Sequence, residues 1–215
     1  MRKTLSSPLA VLFLAISMGN AFGGNLLING DFNSPDDNLM DYSGWSAWWA
    51  GDRPCGRETW ADRAYNGRGF AVYGWGEGSL VGIYQNVAAT CGVTYTFTVW
   101  VKKEINYDEE YTEIKLEWKD ADMADLGGSC FTNLTAQTGP TYTLYTISGS
   151  TTNPVCAYVR PVIYTQWNTP AVTESASMQF DDAELVIEPA AVILISQEPW
   201  FKTFEQESGR HGPVV

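Results

Sequence analysis

The only histidine, His211, stands five residues from the C-terminus, in a stretch with no hydrophobic period. A serine or cysteine triad needs an imidazole to orient and carry protons, so that class of hydrolysis has no proton carrier in the patterned part of the chain. Glycoside hydrolysis needs only two carboxylates. Glu113 and Glu117 share one face of an alternating segment, but Lys115 stands between them on that face. A solvated strand face of alternating charge explains this run, and hydrolysis by Glu113 and Glu117 is the weaker alternative. Cys55, Cys91, Cys130 and Cys156 include no CxxC or CxxxC pair, so zinc spacing is absent. In an exported chain they are expected to form disulfides, with all three pairings open.

What must position such residues is a set of short strands. Almost no segment has the 3.6-residue period of a helix, while the strand period of 2 recurs. Phe70–Tyr73, Val81–Val87, Thr94–Lys103, Glu113–Lys119, Tyr142–Ser148, Val155–Tyr164 and Met178–Ile187 read as strands. Turn clusters separate them, among them Asn66-Gly67, Gly127-Gly128, Gly139-Pro140 and Asn153-Pro154. The expected fold is an all-β sandwich, a jelly roll of two antiparallel sheets with about eight strands. Pro161 predicts an edge or a bulge. Phe180, Ala183 and Leu185 cannot share a face at strict alternation, which predicts a bulge near Asp181-Asp182.

The ends read differently. Arg2 and Lys3, an apolar run from Leu9 to Met18 and the small residues Ala21 and Gly23 have the layout of a secretory signal peptide over residues 1–23. Residues 24–187 form the sandwich, and 188–215 read as a tail or linker. The expected location is secreted or extracellular, with the periplasm or cell surface as variants. Setting Arg2 and Lys3 aside leaves 11 of the 13 basic residues against 25 acidic ones, a net charge near −14. Such a surface repels phosphate backbones, so nucleic acid is not an expected partner, and it attracts cations such as calcium. Ala190–Ile195 is apolar but too short to span a membrane. Asn133-Leu134-Thr135 is the one sequon.

The remaining chemistry is aromatic: 9 Trp and 11 Tyr in 215 residues. A pyranose has an apolar C–H face that stacks on flat rings, and polar side chains nearby can hold its hydroxyls. Phase separates candidates from core. Trp100 lies opposite Tyr95, Phe97 and Val99, while Tyr158, Arg160 and Tyr164 lie opposite Ala157, Val159 and Ile163. If the two strands share a sheet, these residues and Lys102 line one face. The loops add Trp75 with Glu77, and Trp167, as rim residues. Trp45 and Trp118 read as core. Of the neighbours Trp48 and Trp49, at most one can face a groove.

Four segments in order resemble carbohydrate-binding modules of families 4, 16 and 22: Asn25–Phe32 with Gly44-Trp45, Gly82–Val87, Gly92–Lys102, and Phe180–Leu185. The resemblance covers roughly residues 24–187 and implies a jelly roll, an aromatic ligand face and a structural calcium. It places Trp75 and Arg160 where such modules carry ligand residues. It also places Asp31 and Asp181 where calcium ligands join the first segment to the last strand. Asn33 stands where the family often has glutamate, and its amide oxygen brings no charge. The reading is a secreted, non-catalytic binder of poly- or oligosaccharide. The alternative is a structural or cell-surface adhesion domain on the same fold, without a sugar ligand.

Overall fold

The computed structural model describes residues 24–33, 43–50, 63–73, 80–167 and 176–188, and the backbone of 55–58. The proposed signal peptide, Trp75, Glu77 and the tail beyond Glu188, with His211, lie outside the described residues.

The strands are β1 (Ser46–Ala50), β2 (Cys55–Glu58), β3 (Gly69–Tyr73), β4 (Leu80–Tyr84), β5 (Val87–Ala88), β6 (Tyr95–Lys103), β7 (Glu109–Lys119), β8 (Cys130–Asn133), β9 (Thr143–Gly149), β10 (Tyr158–Trp167) and β11 (Ser177–Ile187). They form two antiparallel sheets. One has the order β1-β4-β10-β7-β8, with β5 also paired to β10, and the other has the order β2-β3-β11-β6-β9. The jelly-roll sandwich is thus the fold, built from more and shorter strands than alternation predicts. β1, β2 and β8 were not predicted because they are only four or five residues long.

Alternation fills the space between the sheets. Tyr95, Phe97, Val99 and Val101 of β6 face Ile114, Leu116 and Trp118 of β7 and Val159, Ile163 and Trp167 of β10 in one buried cluster. β10 is the centre of its sheet although it holds Pro161. On one side it pairs with β4 from Val162 onward and with β5 at Tyr158 and Val159, so Pro161 sits at the gap between them. That gap serves the function expected of an edge, since proline has no N–H to offer a ladder. The predicted bulge is also present. The β6–β11 register shifts between Asp181 and Glu184, with Asp182 at φ 42°.

The first described segment works as a strap between the sheets. Asn25 donates from Nδ2 to the Ala183 carbonyl (2.7 Å) and accepts the Leu185 N–H at Oδ1 (3.0 Å), both on β11. Gln85, just past β4, accepts the Ile28 N–H (3.0 Å) and donates to the Ile28 carbonyl (2.7 Å). Each amide side chain uses its donor and its acceptor at once, which suits a buried backbone that must lose no hydrogen bonds. Phe32 completes the strap by stacking on Trp45 and Phe70, at centroid distances of 5.4 and 5.9 Å.

Candidate functional site

The outer face of the β10 sheet carries the aromatic surface. Register fixes its rows. Trp48, Gly82, Tyr164 and Glu113 lie side by side on β1, β4, β10 and β7. The next row holds Ser46, Tyr84, Val162 and Lys115. Beyond it Arg160 pairs with Glu117, and on the other flank Gln166 pairs with Tyr111. Trp48 is 38% exposed, so a large apolar ring faces solvent. Its centroid lies 6.3 Å from that of Tyr164 with planes 18° apart, and 5.6 Å from that of Tyr84. Tyr111 continues the series, 5.9 Å from Tyr164.

Polar groups interleave with these rings. The Arg160 guanidinium lies over Tyr84, 4.4 Å from the ring centroid, and its Nε donates to Asn86 (2.8 Å). Such a cation over a ring face is attracted by the ring quadrupole and held planar against it. Tyr111 donates its hydroxyl to Glu113 (2.7 Å), and Tyr164 donates to Gln166 (3.0 Å). Burial, then the bond to Glu113, pushes the Tyr111 phenol up to about 12. Burial and then Glu113 also raise Tyr164. Both phenols therefore stay neutral and can donate hydrogen bonds to a ligand hydroxyl.

Glu113, Lys115, Glu117 and Lys119 form a ladder of ion pairs along β7. Lys115 Nζ lies 3.4 Å from Glu113 and 2.8 Å from Glu117, and Lys119 lies 3.0 Å from Glu117. Burial would raise the Glu117 carboxyl, but hydrogen bonds from Lys115 and Lys119 outweigh it and hold the group below its ordinary value. Burial would lower the Lys115 ammonium, and Glu117 and Glu113 more than offset it, so it is raised. A glycosidase acid must hold its proton near neutral pH, and the shift at Glu117 runs the other way. The downward shift makes the Glu117 contribution to stability full above the unfolded carboxylate value, and it is lost as pH falls through the lowered folded value. The Lys115 contribution is full below its unfolded value and is lost as pH rises through the raised one. Acidification below about pH 4 should therefore lower the melting temperature of the parent protein more than that of Glu117→Gln, measured by thermal melts in a pH series.

The sequence-predicted residues divide. Arg160 and Tyr164 belong to this face, and Tyr158 lies at its far end opposite Lys119. Trp100 does not join them. It is on β6, in the other sheet, where Tyr65 stacks on it at 4.2 Å and Tyr142 packs edge-on against Tyr65. That stack pins the 63–68 loop to the sheet. Trp167 is fully buried, because a register shift between Gln166 and Trp167 turns it into the core. Tyr84, Tyr111 and Gly82 were not singled out from sequence. Tyr84 had a signal, since it alternates with Ile83 and Gln85, whereas Tyr111 falls before the segment read as a strand.

The three residues aligned with calcium ligands are already engaged by N–H donors. Asp181, fully buried, accepts at Oδ2 from Tyr65 N (2.9 Å) and Asn66 N (2.8 Å), and at Oδ1 from Asp182 N (2.8 Å). Burial pushes its carboxyl up to about 7 against the pull of these bonds. Asn33 Oδ1 accepts from Arg68 N (2.8 Å), and Asp31 Oδ1 accepts from Asn33 N (3.3 Å). N–H dipoles present positive ends, which a cation meets unfavourably, and calcium requires six to eight free oxygens. As arranged, Asp31, Asn33 and Asp181 do not fit the ion. Joining the first segment to the last strand, the role the resemblance gives to calcium, falls here to Asn25.

The expected disulfides are not formed among the described residues, where Cys91, Cys130 and Cys156 are free thiols. Cys156 Sγ faces the Tyr158 carbonyl (3.6 Å), while Cys130 packs against Gly149 and Trp118 on the far edge strand. The side chain of Cys55 lies outside the described residues.

No protein-family model matches the sequence, and no curated protein matches it. Solved structures do resemble it. A family 61 carbohydrate-binding module in complex with β-1,4-galactotriose aligns at TM-score 0.52 and 15% identity, over 77% of this chain and 100% of that one. A family 16 carbohydrate-binding module aligns at TM-score 0.51 and 20% identity, over 75% and 99%. The enzymatically active domain of bacteriophage CBA120 tailspike protein 4 aligns at TM-score 0.57 and 14% identity, over 76% of this chain, which spans only 21% of that one. The chain therefore has the β-sandwich fold of carbohydrate-binding modules. Among the described residues no helix is long and apolar enough to cross a membrane.

Proposed function

We propose that this protein is a non-catalytic carbohydrate-binding module, exported from the cell, that holds an oligo- or polysaccharide on the outer face of the β10 sheet. One observation carries the reading: Trp48, Tyr84, Tyr164 and Tyr111 form a continuous aromatic surface interleaved with Arg160, Asn86, Gln166 and the β7 ion-pair ladder. Rings of this kind stack on the C–H faces of sugars at little entropic cost, and fixed polar groups beside them discriminate hydroxyl patterns. The fold supports the reading, because modules with the same sandwich include one solved with galactotriose. The opposed carboxylates of β7 support the absence of catalysis, since both are bound to Lys115.

Fluorescence titration with soluble oligosaccharides tests this reading, because the Trp48 indole is exposed on the face itself. A saturable change with at least one sugar, and no release of reducing ends on long incubation, is expected. A flat response throughout would favour the adhesion domain, and release of reducing ends would favour a glycosidase. For the calcium implied by the resemblance, the N–H bonds to Asp181 support a metal-free join. Chelator is expected to leave the melting temperature unchanged. A clear rise on adding calcium to chelator-treated protein would restore the metal.

A further inference from the structure

Gly82 sits in the middle of the aromatic row, directly between Trp48 and Tyr164 in register. Its backbone is not in the left-handed region, so the chain path itself does not require glycine there. Glycine inside a strand weakens it and often marks the close approach of another group. Here the approaching group is the Trp48 indole. A Cβ on Gly82 would overlap Cζ2, Cη2 and Cε2 of that ring. These are three consecutive ring carbons at near-equal separations, a geometry met only above a ring face and not at its edge. One face of the indole therefore lies down on the Gly82 backbone.

We infer that Gly82 is a positioning residue of the proposed sugar site, whose missing side chain lets Trp48 lie flat as a floor. The covered face rests on β4, and the opposite face is turned outward. The ring planes of Trp48 and Tyr164 lie within 18° of one another, so the two rings offer one shared surface. Such a floor receives a sugar ring face-down, with its hydroxyl rim directed sideways toward Arg160, Asn86 and Gln166. A methyl at position 82 lifts the indole off the sheet and breaks its contacts with Tyr164 and Tyr84. This inference rests on the proposed function.

The test compares Gly82→Ala, Gly82→Val, Trp48→Ala and the double variant Trp48→Ala/Gly82→Val, each titrated with a bound oligosaccharide and melted. A purely structural glycine would change stability and leave affinity alone. The inference expects the reverse: melting temperatures at or above that of the parent, because alanine and valine suit a strand better, with affinity for Gly82→Val lowered about tenfold or more. It also expects the double variant to bind no worse than Trp48→Ala, since both changes remove the same floor. If Gly82→Val folds poorly, Gly82→Ala carries the same comparison with less disturbance. Parent-like affinity in the Gly82 variants, with affinity lost in Trp48→Ala, overturns the inference and leaves the sugar site standing. Parent-like affinity in Trp48→Ala overturns the site itself.

Discussion

Trp48→Ala should weaken glycan binding about thirtyfold. An aromatic residue at the centre of a binding patch is worth about 2 kcal/mol on truncation, and each 1.4 kcal/mol is about tenfold. Trp48 meets the conditions for such a residue. Its indole is 38% exposed, and it touches both Tyr84 and Tyr164. It stands on an edge strand, so its removal leaves no hole between the sheets, and stability should fall by well under the binding effect. Calorimetric titration of the two proteins gives the number directly. The matched control is Trp100→Ala. That ring stacks on Tyr65 in the other sheet, so its loss should leave affinity within about twofold while costing about 2 kcal/mol of stability. The opposite pattern, affinity lost with Trp100 and kept without Trp48, would move the binding surface to the other sheet.

Asp181→Ala should have the largest effect on stability. Three backbone N–H groups, those of Tyr65, Asn66 and Asp182, converge on a carboxylate that has no exposure to water. Truncation strands these donors in a site the rest of the fold keeps closed. Each unsatisfied buried donor costs about 1 kcal/mol or more, so a loss of about 3 kcal/mol is expected. For a domain of this size that corresponds to a fall of about 6–12 °C in melting temperature. Asp181→Asn tests the geometry more finely. Its single carbonyl oxygen can take the donors at one position only, and its NH₂ group would face the others, so it too should lose stability. The losses should be equal in chelator and in calcium. Loss that appears only in calcium-loaded protein would mean that Asp181 acts through a metal.

Phase along a strand was legible in the sequence because alternation is local. It put Trp118 and Trp45 in the core and turned Trp100, Arg160 and Tyr164 outward, and the structure agrees in each case. Sheet membership was not legible, because it depends on which strands pair at long range. Trp100 and Arg160 both point outward, yet they do so on opposite sides of the sandwich. The bulge at Asp181-Asp182 was legible as a phase break, whereas the partners of Asp181 were not, since they come from a loop more than a hundred residues earlier. Trp48 could be given no side from sequence, because β1 is a short edge strand in which alternation is masked by exposure on both faces. Gly82 looked like one more small residue before an apolar run. Only the indole resting on it distinguishes it.

Affinity electrophoresis of the parent protein through gels containing single soluble glycans, galactan and xylan among them, tests the central claim most directly. The account predicts slowed migration in at least one gel, relieved by free oligosaccharide of the same sugar. Unchanged mobility against every glycan would contradict it, and would leave the aromatic face of the β10 sheet as a surface with no sugar ligand.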